Sequence, residues 1–209
     1  MIDNFLTQDE VDWFNWYWTQ LPCKINNGKR WGSCVYYDQG FFKNIREILD
    51  KKVAKDEYIV AVNISEDYEP GGIHTDGYIG DKSNEKNCLG TSYLIPLEIS
   101  EQFYTLTFKS YSDRAVSLNK YFNLEGGVLT YDQVDKDYFN FGDKVFDNGL
   151  HQKYLGHLNY DLLKGIEVDK ILPWDIGRAV TWPRPQLHVT AFFPKNITRR
   201  MILILTCKR

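Results

Sequence analysis

The sequence feature that most constrains the fold is the pair His74 and Asp76, which are separated by one residue and preceded by Gly71 and Gly72. In an extended strand, side chains two positions apart lie on the same face, so this imidazole and this carboxylate can reach one metal ion. The two glycines allow the chain to turn sharply into that strand. The pair therefore predicts a strand with two metal ligands on one face, and the third ligand must come from elsewhere in the chain.

His188, near the C-terminus in the segment Trp182–His188, is the candidate third ligand. Two neutral imidazoles and one carboxylate on one side of an octahedron leave open coordination positions, a pattern associated with non-haem Fe(II) oxygenases. The usual zinc-hydrolase signatures, His-Glu-x-x-His and closely spaced cysteines, do not occur in the sequence. His74, Asp76 and His188 are therefore the predicted metal ligands and catalytic residues, with iron as the expected metal.

Two adjacent arginines, Arg199 and Arg200, open a long apolar segment that ends at Cys207. A cation at the start of a buried strand is costly unless it has an anionic partner, and a dicarboxylate could supply one. A guanidinium holds a carboxylate through two parallel hydrogen bonds. Because side chains alternate along a strand, only one of the two arginines can point inward, and the spacing from His188 favours Arg199. Surface arginines at a strand end are the alternative interpretation.

Together, His74-x-Asp76, the distant His188 and the basic residue after it resemble the Fe(II)/2-oxoglutarate-dependent dioxygenases, specifically short prolyl-hydroxylase-like members of phage and bacterial type. The resemblance extends to the flanking sequence. Segments 90–98 and 105–108 are similar to the strands that follow the His-x-Asp strand in that family, and 174–182 is similar to the strand and turn before the distal histidine.

The resemblance implies a mainly β fold with flanking helices, namely a double-stranded β-helix (a cupin-like jelly roll). It also implies one domain over residues 1–209 with an insert at about 111–165, Fe(II) as cofactor, and 2-oxoglutarate and O2 as cosubstrates. Succinate and CO2 would be released, and hydroxylation is the default outcome. Related halogenases replace the carboxylate ligand with a small residue, so Asp76 disfavours halogenation.

Further candidates for the site come from neighbouring segments. Asn63 is the polar interruption of the apolar segment 58–64, and it is expected either to contact a ligand or to bond the backbone as a strand-end amide. The candidate cofactor-binding residues are therefore Arg199, Arg200, Asn63 and Tyr93. The candidates for substrate contact are Tyr78, Arg184 and Trp182, with simple packing as the alternative for Trp182.

Hydrophobic periodicity and turn residues predict the remaining elements. Helices are expected at 6–21, 41–53 and 151–164, the first opened by a capping box between Thr7 and Glu10. His151 and His157 are not spaced to share a helical face, so they do not predict a second metal site. The polar segment 81–87 predicts a mobile loop beside the metal. The predicted strands are 31–37, 58–64, 90–98, 103–110, 177–182, 187–193 and 199–207.

Composition places limits on the function. With 43% hydrophobic residues in 209, the chain suits one globular domain with a sizeable core. The net charge of −3 gives no signature of nucleic-acid binding. No apolar run is long enough to span a bilayer and no leader opens the sequence, so a cytoplasmic protein with no membrane partner is expected. The four cysteines are scattered and are expected to be free thiols.

Two other classes of function remain open at this level: a cupin-like metal- or ligand-binding module without turnover, and a structural β-sandwich that binds a partner. The basic residue after His188 separates them from an oxygenase, because a simple metal-binding module does not need it. The substrate is not defined by the sequence, since an amino acid, a peptide, a nucleobase or another small molecule would fit.

Overall fold

The computed structural model describes residues 1–21, 24–26, 30–36, 43–76, 89–112, 114–118, 132–194, 197 and 199–209. The predicted loop 81–87 and Tyr78 lie outside these residues. The helices are α1 (Gln8–Gln20), α2 (Lys43–Leu49) and α3 (Asn148–Leu150). The strands are β1 (Ile25–Asn26), β2 (Arg30–Tyr36), β3 (Glu57–Asp67), β4 (Thr91–Ile99), β5 (Tyr104–Tyr111), β6 (Val116–Ser117), β7 (Asp132–Gln133), β8 (Val168–Pro173), β9 (Val180–Pro183), β10 (Gln186–Thr190) and β11 (Arg199–Lys208).

Helix α1 begins where the sequence predicts. The hydroxyl of Thr7 accepts a hydrogen bond from the Glu10 backbone N–H, and the Glu10 carboxylate accepts one from the Thr7 N–H at 2.8 Å. This capping box satisfies two of the N–H groups that have no partner within the helix. The buried face of α1, which includes Phe14 and Trp18, packs with α2 against one side of the largest sheet.

That sheet has six strands in the order β1-β2-β3-β11-β4-β9, and its described pairings are antiparallel. Strand β11 lies between β3 and β4, so the last strand of the chain joins two strands from its first half. The side of the sheet that faces α1 and α2 holds an apolar cluster; we call it the helix face. The predicted mainly β architecture with flanking helices is confirmed.

A second sheet has the order β10-β5-β8. The segment containing His74 extends it at the edge, because His74 forms an antiparallel bridge with His188 of β10. Another apolar cluster contains residues of both sheets, among them Leu94 of β4, Leu172 of β8 and Met201 of β11. The side of the six-stranded sheet that faces the second sheet is called the cavity face here.

Between β5 and β8 the chain departs most from prediction. The predicted helix 151–164 is wrong: α3 runs into a π-helical turn over His151–Leu155, and a separate 3-10 turn spans Tyr160–Leu163. The side chain of Asn159 accepts a hydrogen bond from the Asp161 N–H, which starts the second turn as a new element. Tyr154, Leu155 and Leu158 are still buried, because the second sheet supplies the core that these turns cover.

Three smaller predictions also need correction. Helix 41–53 is shorter, since α2 ends at Leu49 and residues 41–42 lie outside the described part of the chain. The strand predicted from Gly177 begins only at Val180, because Gly177 forms a turn with a φ of 74°, a conformation that glycine adopts without steric cost. Cys207 is disulfide-bonded rather than a free thiol, which shows that scattered spacing along the sequence says little about tertiary proximity.

Among the described residues, no helix has the length and apolar character needed to cross a membrane.

Candidate metal centre

His74, Asp76 and His188 meet at one point between the two sheets. One ligand atom from each lies within 4.8 Å of the others. The Nε2 of His188 is 3.4 Å from Asp76 Oδ2, and the Nε2 of His74 is 3.8 Å from Asp76 Oδ1. The predicted grouping is therefore present in the structure, and its three side chains come from two segments far apart in sequence.

Backbone hydrogen bonds hold the two segments in register. The His74 N–H donates to the His188 carbonyl at 3.0 Å, and the His188 N–H donates back at 2.9 Å. Two residues further on, the Asp76 N–H donates to the Arg184 carbonyl at 3.0 Å. This reciprocal pairing places the two imidazoles side by side, with ring centroids 4.3 Å apart.

Hydrogen bonding also selects the imidazole nitrogen that can bind a metal. The Nδ1 of His74 is 2.8 Å from the Gly72 carbonyl, and the Nδ1 of His188 is 3.0 Å from the Gln186 carbonyl. A carbonyl oxygen can only accept, so each Nδ1 must carry the proton when the ring is neutral. Each Nε2 is then left as a lone-pair donor toward the common point, as in many histidine–metal sites.

The carboxylate of Asp76 has two different oxygens. Oδ2 accepts hydrogen bonds from Ser92 Oγ at 2.6 Å and from Trp182 Nε1 at 3.1 Å. Oδ1 is buried and has no hydrogen-bond partner among the described residues. Burial raises the pKa of Asp76, but electrostatic interactions with His188 and His74 and the Ser92 hydrogen bond outweigh it, so the pKa is lowered. An ionised carboxylate with one buried, unsatisfied oxygen fits a metal ligand.

Arg184 holds the Asp76 backbone in place instead of pointing to solvent. Its Nε donates to the Asp76 carbonyl at 3.0 Å, and its Nη1 donates to the Thr206 carbonyl at 3.1 Å. The residue is only 1% exposed. The predicted substrate contact is therefore not supported for Arg184. Trp182, by contrast, packs on the His188 ring with centroids 4.6 Å apart and lines the cavity described below.

A cavity with a volume of about 60 Å³ extends from the metal ligands across the cavity face of the large sheet. Asn63 of β3 borders it, and the Asn63 Oδ1 atom is buried with no hydrogen-bond partner in the described part of the chain. Asn63 therefore lies where a ligand in the cavity could reach it, and the predicted ligand contact stays a prediction. The other lining residues are Ser65, Asp67, Gly71, His74, Asp76, Leu94, Thr105, Trp182, His188, Thr190, Arg199, Met201 and Leu203.

Arg199 lines the same cavity and is 1% exposed. Its guanidinium carbon lies 4.5 Å from the ring centre of Phe193 and 4.6 Å from that of Trp174. Its Nη2 donates to Asp67 Oδ2 at 3.0 Å. The structure therefore agrees with the choice of Arg199 as the inward-facing arginine, and it adds an anionic partner that the sequence reading did not include.

Arg200 and Tyr93 do not line this cavity. Arg200 donates to Asn15 of α1 at 2.8 Å and to Glu66 at 2.7 Å. The Tyr93 ring is part of the helix-face cluster, and its hydroxyl donates to Glu57 at 3.0 Å. The prediction that these two residues bind a cofactor is not supported, because alternation along β11 and β4 turns both side chains away from the site.

The histidines of the segment between β5 and β8 have other partners. His151 Nε2 is 3.0 Å from the Leu158 carbonyl, and His157 Nε2 is 3.1 Å from the Gly71 carbonyl. Within the described ranges, His74, Asp76 and His188 are the one group of three such side chains close enough to share a metal ion.

Three residues around the site were missed by the sequence reading: Ser92, Ser65 and Asp67. Ser92 lies in a segment assigned only a structural role, and the hydrogen bond it donates to Asp76 depends on tertiary packing. A signal for the other two was present, because Asn63, Ser65 and Asp67 alternate along β3 and all three line the cavity. Following the alternation beyond Asn63 would have found them.

No protein-family model and no curated protein matches the sequence. Solved structures do match the fold. The epimerase SnoN, in complex with Fe3+, alpha ketoglutarate and nogalamycin RO, has a TM-score of 0.55 at 10% identity, covering 99% of this chain and 77% of its own.

Two further structures give similar values. The non-haem alpha ketoglutarate dependent carbocyclase SnoK, from nogalamycin biosynthesis, has a TM-score of 0.53 at 9% identity, over 99% of this chain and 78% of its own. HygX from Streptomyces hygroscopicus, with nickel and 2-oxoglutarate bound, has a TM-score of 0.52 at 11% identity, over 99% and 81%. At such low identity the similarity concerns the fold alone: this chain has the fold shared by SnoN, SnoK and HygX.

Proposed function

We propose that the protein is an Fe(II)- and 2-oxoglutarate-dependent oxygenase that hydroxylates a substrate not yet identified. The observation that carries the proposal is the convergence of His74, Asp76 and His188, whose ligand atoms lie within 4.8 Å of one another in the cavity that also contains Arg199. The Oδ1 atom of Asp76 is buried there without a hydrogen-bond partner among the described residues. A metal-binding module without turnover would need the three ligands but not a buried cation beside them.

Strand order supports the corresponding architecture, a single domain built as a double-stranded β-helix. The large sheet contains the sequence β3-β11-β4-β9, and the second sheet runs from the His74 segment through β10 and β5 to β8. Strands distant in sequence thus alternate between two facing antiparallel sheets, as expected for a jelly roll. The insert predicted at 111–165 would lie between β5 and β8 in the chain, and it stays part of the proposal.

The donor set fits Fe(II) on chemical grounds. His74, Asp76 and His188 would hold the ion on one side and leave positions for other ligands. Bound together, Fe(II) and 2-oxoglutarate supply the oxidising chemistry, in which a substrate C–H group, O2 and 2-oxoglutarate become C–OH, succinate and CO2. Arg199 would bind the distal carboxylate of 2-oxoglutarate. Ser92 and Trp182 keep Asp76 oriented through Oδ2.

The kind of transformation is part of the proposal. SnoN is an epimerase and SnoK a carbocyclase, so this fold carries outcomes other than hydroxylation. Hydroxylation is proposed as the default outcome of the family that the sequence resembles. Asp76 bears on a different alternative, because a carboxylate ligand at this position would disfavour the halide binding that halogenation needs. The substrate class is not defined: an amino acid, a peptide, a nucleobase or another small molecule would fit.

Ligand removal tests the proposal. In Asp76→Ala and His188→Ala proteins, we expect Fe(II) affinity to fall by about a hundredfold or more, because each loses one of three ligands. Succinate formation from 2-oxoglutarate should stop, with little loss of folding because other residues form the core. His151→Ala is the matched control, since its imidazole Nε2 lies against the Leu158 carbonyl and its ring against Tyr160, neither of which is one of the proposed metal ligands. Fe(II) binding and succinate formation like those of the parent would refute the site, and Fe(II) binding by the parent without 2-oxoglutarate turnover would favour a binding module.

A further inference from the structure

The buried pair formed by Arg199 and Asp67 has a consequence for cosubstrate affinity. We propose that Asp67 is a resident counter-ion of Arg199 that weakens the binding of 2-oxoglutarate and reduces its selectivity for a distal carboxylate. The inference rests on the proposed function, because it concerns the site at which the distal carboxylate would bind.

The geometry places Asp67 directly at that site. Asp67 Oδ2 accepts a hydrogen bond from Arg199 Nη2 at 3.0 Å, and the Asp67 side chain is 10% exposed. Both residues line the cavity that contains the metal ligands. Asp67 Oδ1 is buried and has no hydrogen-bond partner in the described ranges. A carboxylate oxygen with unused acceptor capacity thus lies beside the cation that would receive the cosubstrate.

Three aromatic rings orient the Arg199 guanidinium in addition to Asp67. The guanidinium carbon lies 4.6 Å from the ring centre of Trp174, 4.5 Å from that of Phe193 and 5.5 Å from that of Phe103. Aromatic rings at these distances attract a guanidinium and restrict its plane. The distinctive contribution of Asp67 is therefore charge: it compensates the buried cation when no other anion is present.

The same charge opposes the incoming ligand. A distal carboxylate would approach a cation that is already neutralised, and its oxygens would lie near those of Asp67. Two carboxylates at close range disfavour each other's charged form in a poorly solvated cavity. A ligand with a distal amide would meet less repulsion, because its NH2 group could donate to an Asp67 oxygen.

Neutralising Asp67 should therefore lower the stability of the protein and raise its affinity for 2-oxoglutarate. Asp67→Asn keeps the shape of the side chain but removes the negative charge that Asp67 places beside Arg199, so the ligand-free protein should unfold at a temperature lower by a few degrees. The 2-oxoglutarate carboxylate would then supply the negative charge that Asp67 no longer supplies, so the affinity for 2-oxoglutarate should rise. If Asp67 had a purely structural role, Asp67→Asn would lower the unfolding temperature without raising the affinity for 2-oxoglutarate.

The experiment compares Asp67→Asn with Glu66→Gln, a matched control. Glu66 also forms a carboxylate–arginine pair, with Arg200 at 2.7 Å, but that arginine points toward α1. Anaerobic titration of the Fe(II) proteins with 2-oxoglutarate, followed by the visible charge-transfer band, gives Kd, and thermal unfolding gives stability. We expect the Kd to fall about tenfold in Asp67→Asn and to stay unchanged in Glu66→Gln.

A second measurement needs no variant. In the unmodified protein, the open-chain form of 2-oxoglutaramate, which has a distal amide, should bind within about tenfold of 2-oxoglutarate. The Kd is expressed for the open-chain fraction, measured by NMR, because the amide also cyclises onto the ketone. An unchanged or weaker affinity of Asp67→Asn for 2-oxoglutarate would overturn the inference, and so would a preference of the unmodified protein for 2-oxoglutarate above about a hundredfold. In either case the proposed function would stand. If the unmodified Fe(II) protein binds neither compound, the proposed function itself fails.

Discussion

Arg199 and Arg200 are consecutive residues of β11 with opposite surroundings. Arg199 lies on the cavity face, buried among aromatic rings and paired with Asp67. Arg200 reaches the helix face, where Asn15 and two glutamates are its partners and its side chain is 16% exposed. The residue type is the same, so the face of the strand decides whether an arginine lines the cavity or stabilises the packing of the helices on the sheet.

Two buried carboxylates show the same contrast. On the helix face, Glu57 accepts a hydrogen bond from Thr91 through Oε1 and others from Tyr93 and Thr206 through Oε2. On the cavity face, Asp76 uses one oxygen in this way and keeps Oδ1 without a partner in the described residues. A carboxylate with both oxygens satisfied stabilises the fold, whereas one with an unsatisfied oxygen is suited to bind a ligand.

The largest expected difference between the two faces concerns the arginines. Arg199→Ala should weaken 2-oxoglutarate binding to the Fe(II) protein by roughly a hundredfold, since a buried charge partner of the ligand is lost. Because Asp67 would then be buried without its cation, the substitution is best made with Asp67→Asn as well. Titration through the charge-transfer band measures the effect.

Arg200→Ala is the control for this comparison, and its affinity for 2-oxoglutarate should equal that of the parent. A larger loss of affinity in Arg200→Ala than in the Arg199 variant would mean that the assignment of the faces of β11 is reversed.

A smaller effect is expected from the hydrogen bonds to Asp76. Trp182→Phe keeps an aromatic ring against His188 but removes the donor to Asp76 Oδ2. The carboxylate is then less firmly oriented, and Fe(II) affinity should fall by about tenfold, as measured by competition with a chelator. Trp16→Phe on α1, where the indole is 57% exposed, should leave the affinity unchanged. Equal affinity in the Trp182 variant and the parent would show that Ser92 alone orients the carboxylate.

The smallest effect concerns the helix face. Burial, together with the hydrogen bond to Glu57 and its charge, raises the pKa of Tyr93 to about 12. Tyr93→Phe removes one hydrogen bond to a buried carboxylate and should lower the free energy of unfolding by about 1–2 kcal/mol in denaturant titration. The affinities for Fe(II) and 2-oxoglutarate should not change.

Tyr58→Phe is the control. Its side chain is 40% exposed, so the substitution should lower the free energy of unfolding by less than about 0.5 kcal/mol. A loss of cosubstrate affinity in Tyr93→Phe would contradict the placement of its ring.

Local sequence was sufficient for features that depend on near neighbours. The capping box at Thr7 and Glu10 follows from spacing alone, and so does the shared direction of His74 and Asp76. The long apolar run after Arg199 predicted β11 nearly to the residue. In each case the determining interactions lie within a few positions, so residue order carries the information.

Tertiary structure decided everything that depends on which strands meet. The sequence placed Tyr93 among the candidate ligand-binding residues, yet pairing of β4 with β11 puts its ring on the helix face. It gave no reason to join Asp67 to Arg199, whose Cα atoms face each other across the β3–β11 pair. A shift of one residue in strand register would reverse these faces, and the register is set by packing across the whole sheet rather than by any local pattern.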